Sequence, residues 1–193
     1  MNNKDYLAHH GVLGQKWGVR RYQNYDGTRI RKHGKSSLKD LNDIYDTLSD
    51  DEKRLVSATP KDQKPDKYFI DPNTYDKNAR VASFLEKYND IPVASFDIWG
   101  NVPFDKHGVD LSVMTRSGEE YRHKGFANDA VKRGMKWLEN NDKYTSAYWL
   151  VRKDNTKSIN LAEKNGFKNV GYSQGRKDWV WYKKNLSKGD HKK

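Results

Sequence analysis

The stretch YRHKGFANDAVKRGMKWL, Tyr121 to Leu138, places three basic residues directly before Gly125 and then continues as an amphipathic helix from about Phe126. A helix N-terminus presents unpaired backbone N–H groups and a partial positive charge, and a glycine there lets an anion approach the main chain. The pattern predicts either an anion-binding turn or an ordinary helix start with solvated charges. It matches neither a Walker loop nor a Rossmann fingerprint.

Hydrophobic spacing upstream predicts a helix in SLKDLNDIYDTL, and Ser49 with Glu52 forms a capping box for a second, short helix. Two runs rich in β-branched and aromatic residues lie on either side of residues 88–90 and predict a hairpin. GVDLSVMT follows as a third strand.

After the helix at Phe126, YTSAYWLV is predicted as a strand, and Asn155 as the cap of a helix that ends before Gly166. KDWVWYKK closes the sequence as an alternating strand. Helices, three strands, a helix, a strand, a helix and final strands together predict a mixed α/β layered fold.

Composition divides the chain of 193 residues into a basic, glycine-containing N-terminal arm (1–35), a globular domain (36–187) and a charged C-terminal tail (188–193). The arm holds eight Lys and Arg residues against two Asp residues, so it carries +6 of the net charge of +11. The rest is only mildly basic, which weakens a nucleic-acid interpretation of the domain itself.

The chain has no cysteine, which excludes disulfides, thiolate catalysis and cysteine-held zinc. His9 and His10 have no further converging ligand, so no metal site is expected. A long apolar run and a secretory signal are both missing from the sequence, and we expect a soluble, unexported protein of the bacterial cytoplasm with no membrane partner.

NTKSINLAEKNGF, Asn155 to Phe167, combined with R-x-x-G-x-A at Arg122 to Ala127 one helix and one strand earlier, resembles the GNAT superfamily of acyl-coenzyme A N-acyltransferases. The resemblance implies a mostly antiparallel sheet of six to seven strands flanked by helices. It also implies acetyl-CoA as co-substrate, a primary amine of a protein or small molecule as acceptor, direct attack of that amine on the thioester, no metal and no covalent enzyme intermediate.

The same resemblance assigns residues to acetyl-CoA. Loop amides hold the pyrophosphate, the second motif flanks the pantetheine arm, and a strand N–H meets the thioester oxygen. The cofactor-binding residues implied are Val113, Arg122, His123, Lys124, Gly125, Phe126, Ala127, Asn155 and Ser158.

The chain departs from the family pattern at Ala162, where many members carry a tyrosine thought to protonate the leaving thiolate. Ser158 is the nearest hydroxyl at a motif position and inherits that role, with water as the alternative acid. The segment TRSGEEY is an insertion relative to the family, interpreted as a flap over the site or as a solvated loop.

Asp97, Asp110 and His107 are the candidate general bases. Asp110 ranks first because it lies three residues before Val113 on the same strand. An α-amine with a pKa near 8 is about a tenth unprotonated at pH 7, whereas a lysine requires more help from a base or from desolvation.

Structural roles are predicted for four tryptophans and for one glutamate. Core packing is the prediction for Trp137, Trp149, Trp179 and Trp181. For Glu86, a lone carboxylate beside a hairpin turn, exposure to solvent is the prediction.

YLAHHGVLGQKWGVRRYQNYDGT, Tyr6 to Thr28, resembles a segment that recurs near the start of structural proteins of tailed phages and prophages. Three roles remain open for residues 6–35: an address for docking to a virion protein, nucleic-acid contact, or padding of the domain. The functional hypotheses are accordingly a phage-encoded acetyltransferase, a catalytically silent GNAT-like binding protein that is virion-associated, and a nucleic-acid binder.

Overall fold

A computed structural model describes residues 31–56, 80–100, 102–173 and 176–187. Its elements in chain order are β1 (Arg31–Gly34), α1 (Leu38–Tyr45), α2 (Asp50–Val56), β2 (Arg80–Tyr88), β3 (Ile91–Trp99), β4 (Gly108–Thr115), α3 (Phe126–Glu139), β5 (Ser146–Arg152), α4 (Thr156–Lys164), β6 (Lys168–Ser173) and β7 (Arg176–Asn185). None of the described helices is long and apolar enough to cross a bilayer.

The strands form one seven-stranded sheet in the order β1-β2-β3-β4-β5-β7-β6. Every neighbouring pair is antiparallel except β4 and β5, which are parallel and are connected through α3. The predicted mixed α/β fold with a mostly antiparallel sheet is therefore confirmed.

Local signals start the helices where the sequence predicts. At α1, Ser37 Oγ accepts the N–H of Asp40 at 3.1 Å, and Asp40 Oδ2 accepts the N–H of Ser37 at 2.9 Å. The Ser49–Glu52 box begins α2 in the same way, with the two reciprocal bonds at 3.1 and 3.2 Å.

Helices cover both faces of the sheet. The larger core lies under α3 and α4 and includes Phe96, Val131 and Trp149, whereas a smaller one under α1 includes Ile44 and Leu85. A Cβ at Gly134 would lie 2.1 Å from the ring of Phe96, so only glycine lets α3 approach β3 this closely.

Glu86 is fully buried, and the prediction that it faces solvent is wrong. Its carboxylate accepts from Arg31 at 3.3 Å, Arg133 at 2.7 Å and His33 at 2.7 Å. Arg31 also pairs with Asp129 on α3 at 2.7 Å. The carboxylate is enclosed because β1 pairs beside β2 and brings Arg31 and His33 against it, while α3 brings Arg133. The pairing joins segments about fifty residues apart, so it leaves no local sequence signal.

Because β1 belongs to the sheet, the domain starts earlier in the sequence than predicted. β1 pairs along β2 from Arg31 opposite Tyr88 to Gly34 opposite Leu85. The predicted boundary between residues 35 and 36 is therefore too late, because the sheet begins inside the segment assigned to the arm.

Replacing Glu86 by Ala should lower the free energy of unfolding by about 3 kcal/mol, because the nearly buried Arg31 and the partly exposed Arg133 then lose their shared partner. Urea unfolding followed by circular dichroism measures the change. Lys32→Ala is the matched control on β1, since it removes only the exposed Lys32–Asp90 pair and should change stability by about 0.5 kcal/mol or less. Equal losses in the two variants would contradict the role of the buried cluster.

Candidate active site

The centre of the sheet opens where β4 and β5 separate. Their parallel pairing runs from Gly108 opposite Ser146 to Leu111 opposite Trp149, although β4 continues to Thr115 and β5 to Arg152. Within the described sheet, this leaves a gap between β4 and β5, where the two strands no longer exchange backbone hydrogen bonds.

The amide of Val113 is directed into this gap. Arg116 N–H donates to Val93 O at 2.8 Å, in the register that places Val113 opposite Phe96. Antiparallel pairs alternate between hydrogen-bonded and non-hydrogen-bonded, so the Val113–Phe96 pair, three residues earlier, is non-hydrogen-bonded. Val113 consequently points its N–H away from β3, toward the side of β5.

One cavity, of about 550 Å³, lies between α2 and the N-termini of α3 and α4. We call it the phosphate-side cavity, after the pyrophosphate that the sequence resemblance predicts at the turn before α3. Gly125 is the N-cap of α3, has φ +78°, and makes no side-chain cap, so the first amides of the helix remain open. A Cβ on Gly125 would find no atom within 4 Å, which means the space above this turn is empty.

Most of the predicted acetyl-CoA residues line the phosphate-side cavity: Val113, Arg122, His123, Gly125, Phe126, Ala127, Asn155 and Ser158. Lys124 does not line it, and its ammonium lies 4.8 Å from the centre of the Tyr88 ring. The guanidinium of Arg122 pairs with Glu52 at 3.1 Å and with Glu119 at 3.4 Å, so α2 is tied to the turn before α3.

A second cavity, of about 740 Å³, lies on the sheet face opposite α3 and is bordered by β3, β4, β5 and the β6–β7 hairpin. We call it the acceptor-side cavity, because it contains Asp110, the residue predicted to act as base toward the acceptor amine. Asp110 and Ser112 of β4 line it, together with aromatic residues of β5 and β7. The two cavities share five lining residues, namely Leu55, Val56, Val113, Asn155 and Ser158.

Asp110 has a perturbed carboxyl group in the acceptor-side cavity. Burial raises the pKa of Asp110 to about 7, against the opposing effects of the Leu111 N–H, which donates to Oδ1 at 2.8 Å, and the positive charge of Arg176. A group with this pKa exchanges a proton readily at neutral pH, as a general base requires.

The other two candidate bases are placed differently. Asp97 borders the acceptor-side cavity, but its carboxylate is bonded to Arg80, to Ser95 at 2.6 Å and to Ser36 at 3.1 Å. Burial raises the pKa of Asp97, and the charge of Arg80 opposes that rise. His107 is exposed in the turn before β4 and lines neither cavity.

At α4, Asn155 Oδ1 accepts the N–H of Ser158 at 3.1 Å and so caps the helix as predicted. This cap places Ser158 on the first turn, half-buried, at the wall shared by both cavities. Ala162 is fully buried in the main core and provides no hydroxyl to either cavity.

The inserted segment packs against α1 and the turn that follows it. Ser117 N–H donates to Thr47 Oγ1 at 3.0 Å, and Arg116 donates to the carbonyl of Asp43 at 3.1 Å. Arg116 and Tyr121 also line the phosphate-side cavity, so the loop forms part of its wall.

Sequence reasoning missed the walls that come from distant elements. Leu55 and Val56 of α2 border both cavities, while Trp179 and Trp181, predicted as packing residues, are half-buried and line the acceptor-side cavity. Alternation within KDWVWYKK places both tryptophans on one face of a strand, and this is the one signal that groups them.

Among the described residues, no group of three His, Cys, Asp or Glu side chains is arranged to hold a metal ion. His9 and His10 lie outside the described residues.

A family model for the acetyltransferase (GNAT) domain matches residues 30–168, most of the chain. The protein therefore belongs to the GNAT acetyltransferase family. Residues 2–24 match a family of unknown function (DUF7211) and lie outside the described part. No curated protein matches the sequence.

Solved structures share the fold. An N-acetyltransferase from Staphylococcus aureus Mu50 superposes with a TM-score of 0.61 at 20% identity, over 81% of this chain and 99% of that one. The yncA protein of Salmonella typhimurium, solved with its cofactor acetyl-CoA, gives 0.60 at 15% identity over 84% and 97%. The ribosomal-protein-S18-alanine N-acetyltransferase of Escherichia coli gives 0.58 at 16% identity over 85% and 99%.

Proposed function

We propose that this protein transfers an acetyl group from acetyl-CoA to a primary amine by direct attack. The observation that carries the proposal is that two cavities approach the gap between β4 and β5 from opposite sides and share Val113, Asn155 and Ser158. One cavity would hold the donor and the other the acceptor. In the reaction a C–N bond forms, the C–S bond breaks, and the amine loses a proton while the thiol gains one.

The phosphate-side cavity fits the anionic end of acetyl-CoA, whose thioester supplies the activated acetyl group. Gly125 leaves open space over the first amides of α3. At the rim, Arg122 adds a positive charge and His123 adds an imidazole that can donate a hydrogen bond. A bound pyrophosphate would compete with Glu52 for Arg122, since both are anions within reach of one guanidinium.

We assign the Val113 N–H as the hydrogen-bond donor to the thioester oxygen. Its N–H points into the gap between the strands, where a donor is needed as negative charge grows on the carbonyl oxygen. A backbone donor held by a strand is already oriented, so little reorganisation is required when the charge develops.

We assign Asp110 as the general base that takes the proton of the attacking amine. With a pKa of about 7 it can take a proton from an α-amine, whose pKa is near 8, at a cost of roughly one pKa unit. A lysine amine, with a pKa near 10.4, would cost more than three units, so an α-amine or a similarly weak base is the better acceptor.

We assign Ser158 as the donor of the proton that the leaving thiolate receives, because this serine lines both cavities and Ala162 has no hydroxyl. Water remains the alternative donor for this step. In either case the thiol leaves neutral.

The cellular setting that we propose rests on the N-terminal segment alone. Its resemblance to phage structural proteins supports a phage- or prophage-encoded enzyme acting in the cytoplasm of the bacterial host. An address role toward a virion protein or nucleic acid stays a prediction for residues 6–35, which is tested by deleting residues 1–29 and measuring co-purification with virions. Unchanged co-purification would remove that role.

Gly125→Glu should weaken acetyl-CoA binding at least about tenfold, equivalent to ~1.4 kcal/mol, because it places a carboxylate where the pyrophosphate would rest. Isothermal titration calorimetry measures the affinity. Gly166→Glu is the matched control: Gly166 has φ +84°, so it suffers similar backbone strain, but it lines neither cavity. If both variants bind acetyl-CoA like the unmodified protein, the assignment of the turn is wrong.

Asp110→Asn should lower kcat/KM about 100-fold and abolish a rise in rate with pH centred near 7. The sign follows from the base being active when deprotonated, so the unmodified enzyme gains activity as the pH rises through that pKa. Release of free thiol on an amine panel gives the rates.

Ser158→Ala should lower kcat more than it changes the acetyl-CoA Kd. A folded, acetyl-CoA-binding protein that releases no thiol with any amine would instead favour the catalytically silent alternative.

A further inference from the structure

We propose that the acceptor is a primary amine whose body is a large, uncharged apolar or aromatic group, seated on the aromatic wall of the acceptor-side cavity. The inference rests on the proposed function and names the substrate class of that site. A free amine and the N-terminal residue of a polypeptide both offer this chemistry.

Three rings build the wall. Phe104, Tyr148 and Trp181 pack edge to face in a closed triangle, with ring centres 5.1, 5.4 and 6.1 Å apart. The hydroxyl of Tyr148 donates to Asp105 at 2.8 Å, which fixes that ring. Because the rings already hold one another in place, they present an ordered apolar surface that needs no rearrangement to bind.

The wall is uncovered where it reaches the mouth of the cavity. Phe104 is 60% exposed, Val170 56% and Tyr172 70%, and all three line the acceptor-side cavity. Among the described residues only one other large apolar side chain, Ile91 at 36%, is classed as exposed. Exposed apolar groups concentrated at one cavity mouth mark a surface that binds an apolar ligand.

Charges at the wall argue against a second cationic group on the substrate. The ammonium of Lys183 lies 5.2 Å from the Tyr148 ring centre, and the guanidinium of Arg176 lies 5.7 Å from that of Trp179. The protein's own cations thus already use the attraction for positive charge of Tyr148, which belongs to the wall, and of Trp179, which lines the same cavity. Lys183 also offsets the negative charge of Asp105, which accepts from the Tyr148 hydroxyl. A diamine or polyamine would bring its second charge close to these cations, whereas an apolar body meets no such repulsion.

The wall also lies beside the assigned base. Tyr148 is the β5 partner of Asp110 in the strand register, and both line the same cavity. A body resting on the three rings therefore leaves its amine near Asp110 and the gap between the strands. Because the wall and Asp110 are this close, the rings would contact the substituent that carries the amine rather than a distant part of the substrate.

The test compares kcat/KM, calculated on the concentration of unprotonated amine so that differences in amine pKa do not enter, for 2-phenylethylamine, ethylamine and 1,4-diaminobutane. Phenylalaninamide and a Phe-initiated pentapeptide are the arms that separate small amines from polypeptides. We expect the phenyl-bearing acceptors to exceed ethylamine and diaminobutane by at least about tenfold, equivalent to ~1.4 kcal/mol. Equal values for the phenyl and ethyl amines, or preference for the diamine, would overturn the inference.

Phe104→Ala and its control Ile91→Ala locate the effect, since each removes one exposed apolar side chain and only Phe104 lines the cavity. The ratio of kcat/KM for 2-phenylethylamine over ethylamine should fall about tenfold in Phe104→Ala, mainly through KM, and stay constant in Ile91→Ala. A constant ratio in both variants would reject the wall as the binding surface.

Failure of the inference can be told apart from failure of the proposed function. Calorimetric binding of acetyl-CoA together with thiol release from amines, but without preference for phenyl groups, contradicts only the inference. Failure to bind acetyl-CoA contradicts the proposed function itself. With acetyl-CoA bound but no acceptor consumed, titration of 2-phenylethylamine into the complex decides: quenching of tryptophan fluorescence in the unmodified protein but not in Phe104→Ala supports the wall, and unchanged fluorescence rejects it.

Discussion

Backbone hydrogen bonding between β4 and β5 stops after Leu111 and Trp149, and the arrangement of the site depends on this interruption. A parallel pair that continued to Thr115 would use the Val113 amide within the sheet and close the passage between the two cavities. The separation frees one oriented N–H and brings the walls of both cavities to the same few residues. The chemistry proposed for the protein therefore starts from a defect in strand pairing rather than from a cluster of reactive side chains.

Several contacts hold α3, which begins beside that gap, against the sheet. Gly134 lets α3 pack closely on β3, and Arg31 connects buried Glu86 to Asp129 in the first turn of α3. Arg31 also stacks on Phe126, with its guanidinium carbon 4.6 Å from the ring centre. The first strand, although distant in sequence, thus supports the helix start on which the phosphate-side cavity is built.

Features encoded locally could be predicted from the sequence. The Ser49 and Asn155 caps and the Gly125 turn each depend on a few consecutive residues, and the structure places all three where the patterns indicate. β1 and the burial of Glu86 could not be predicted because they arise from pairing across about fifty residues. The same reason hides the aromatic wall, whose rings come from β5, β7 and the loop before β4, and the desolvation that raises the pKa of Asp110.

The central claim is that the thioester oxygen meets the Val113 amide in the gap between β4 and β5. A ¹⁵N–¹H NMR titration of the 22.6 kDa protein with acetyl-CoA, and in parallel with coenzyme A lacking the acetyl group, tests this most directly. The account predicts that both ligands shift the Gly125 and Phe126 amides, whereas acetyl-CoA shifts the Val113 amide markedly more than coenzyme A does. Saturable binding that leaves Val113 unmoved, or moves it equally with both ligands, would contradict the account.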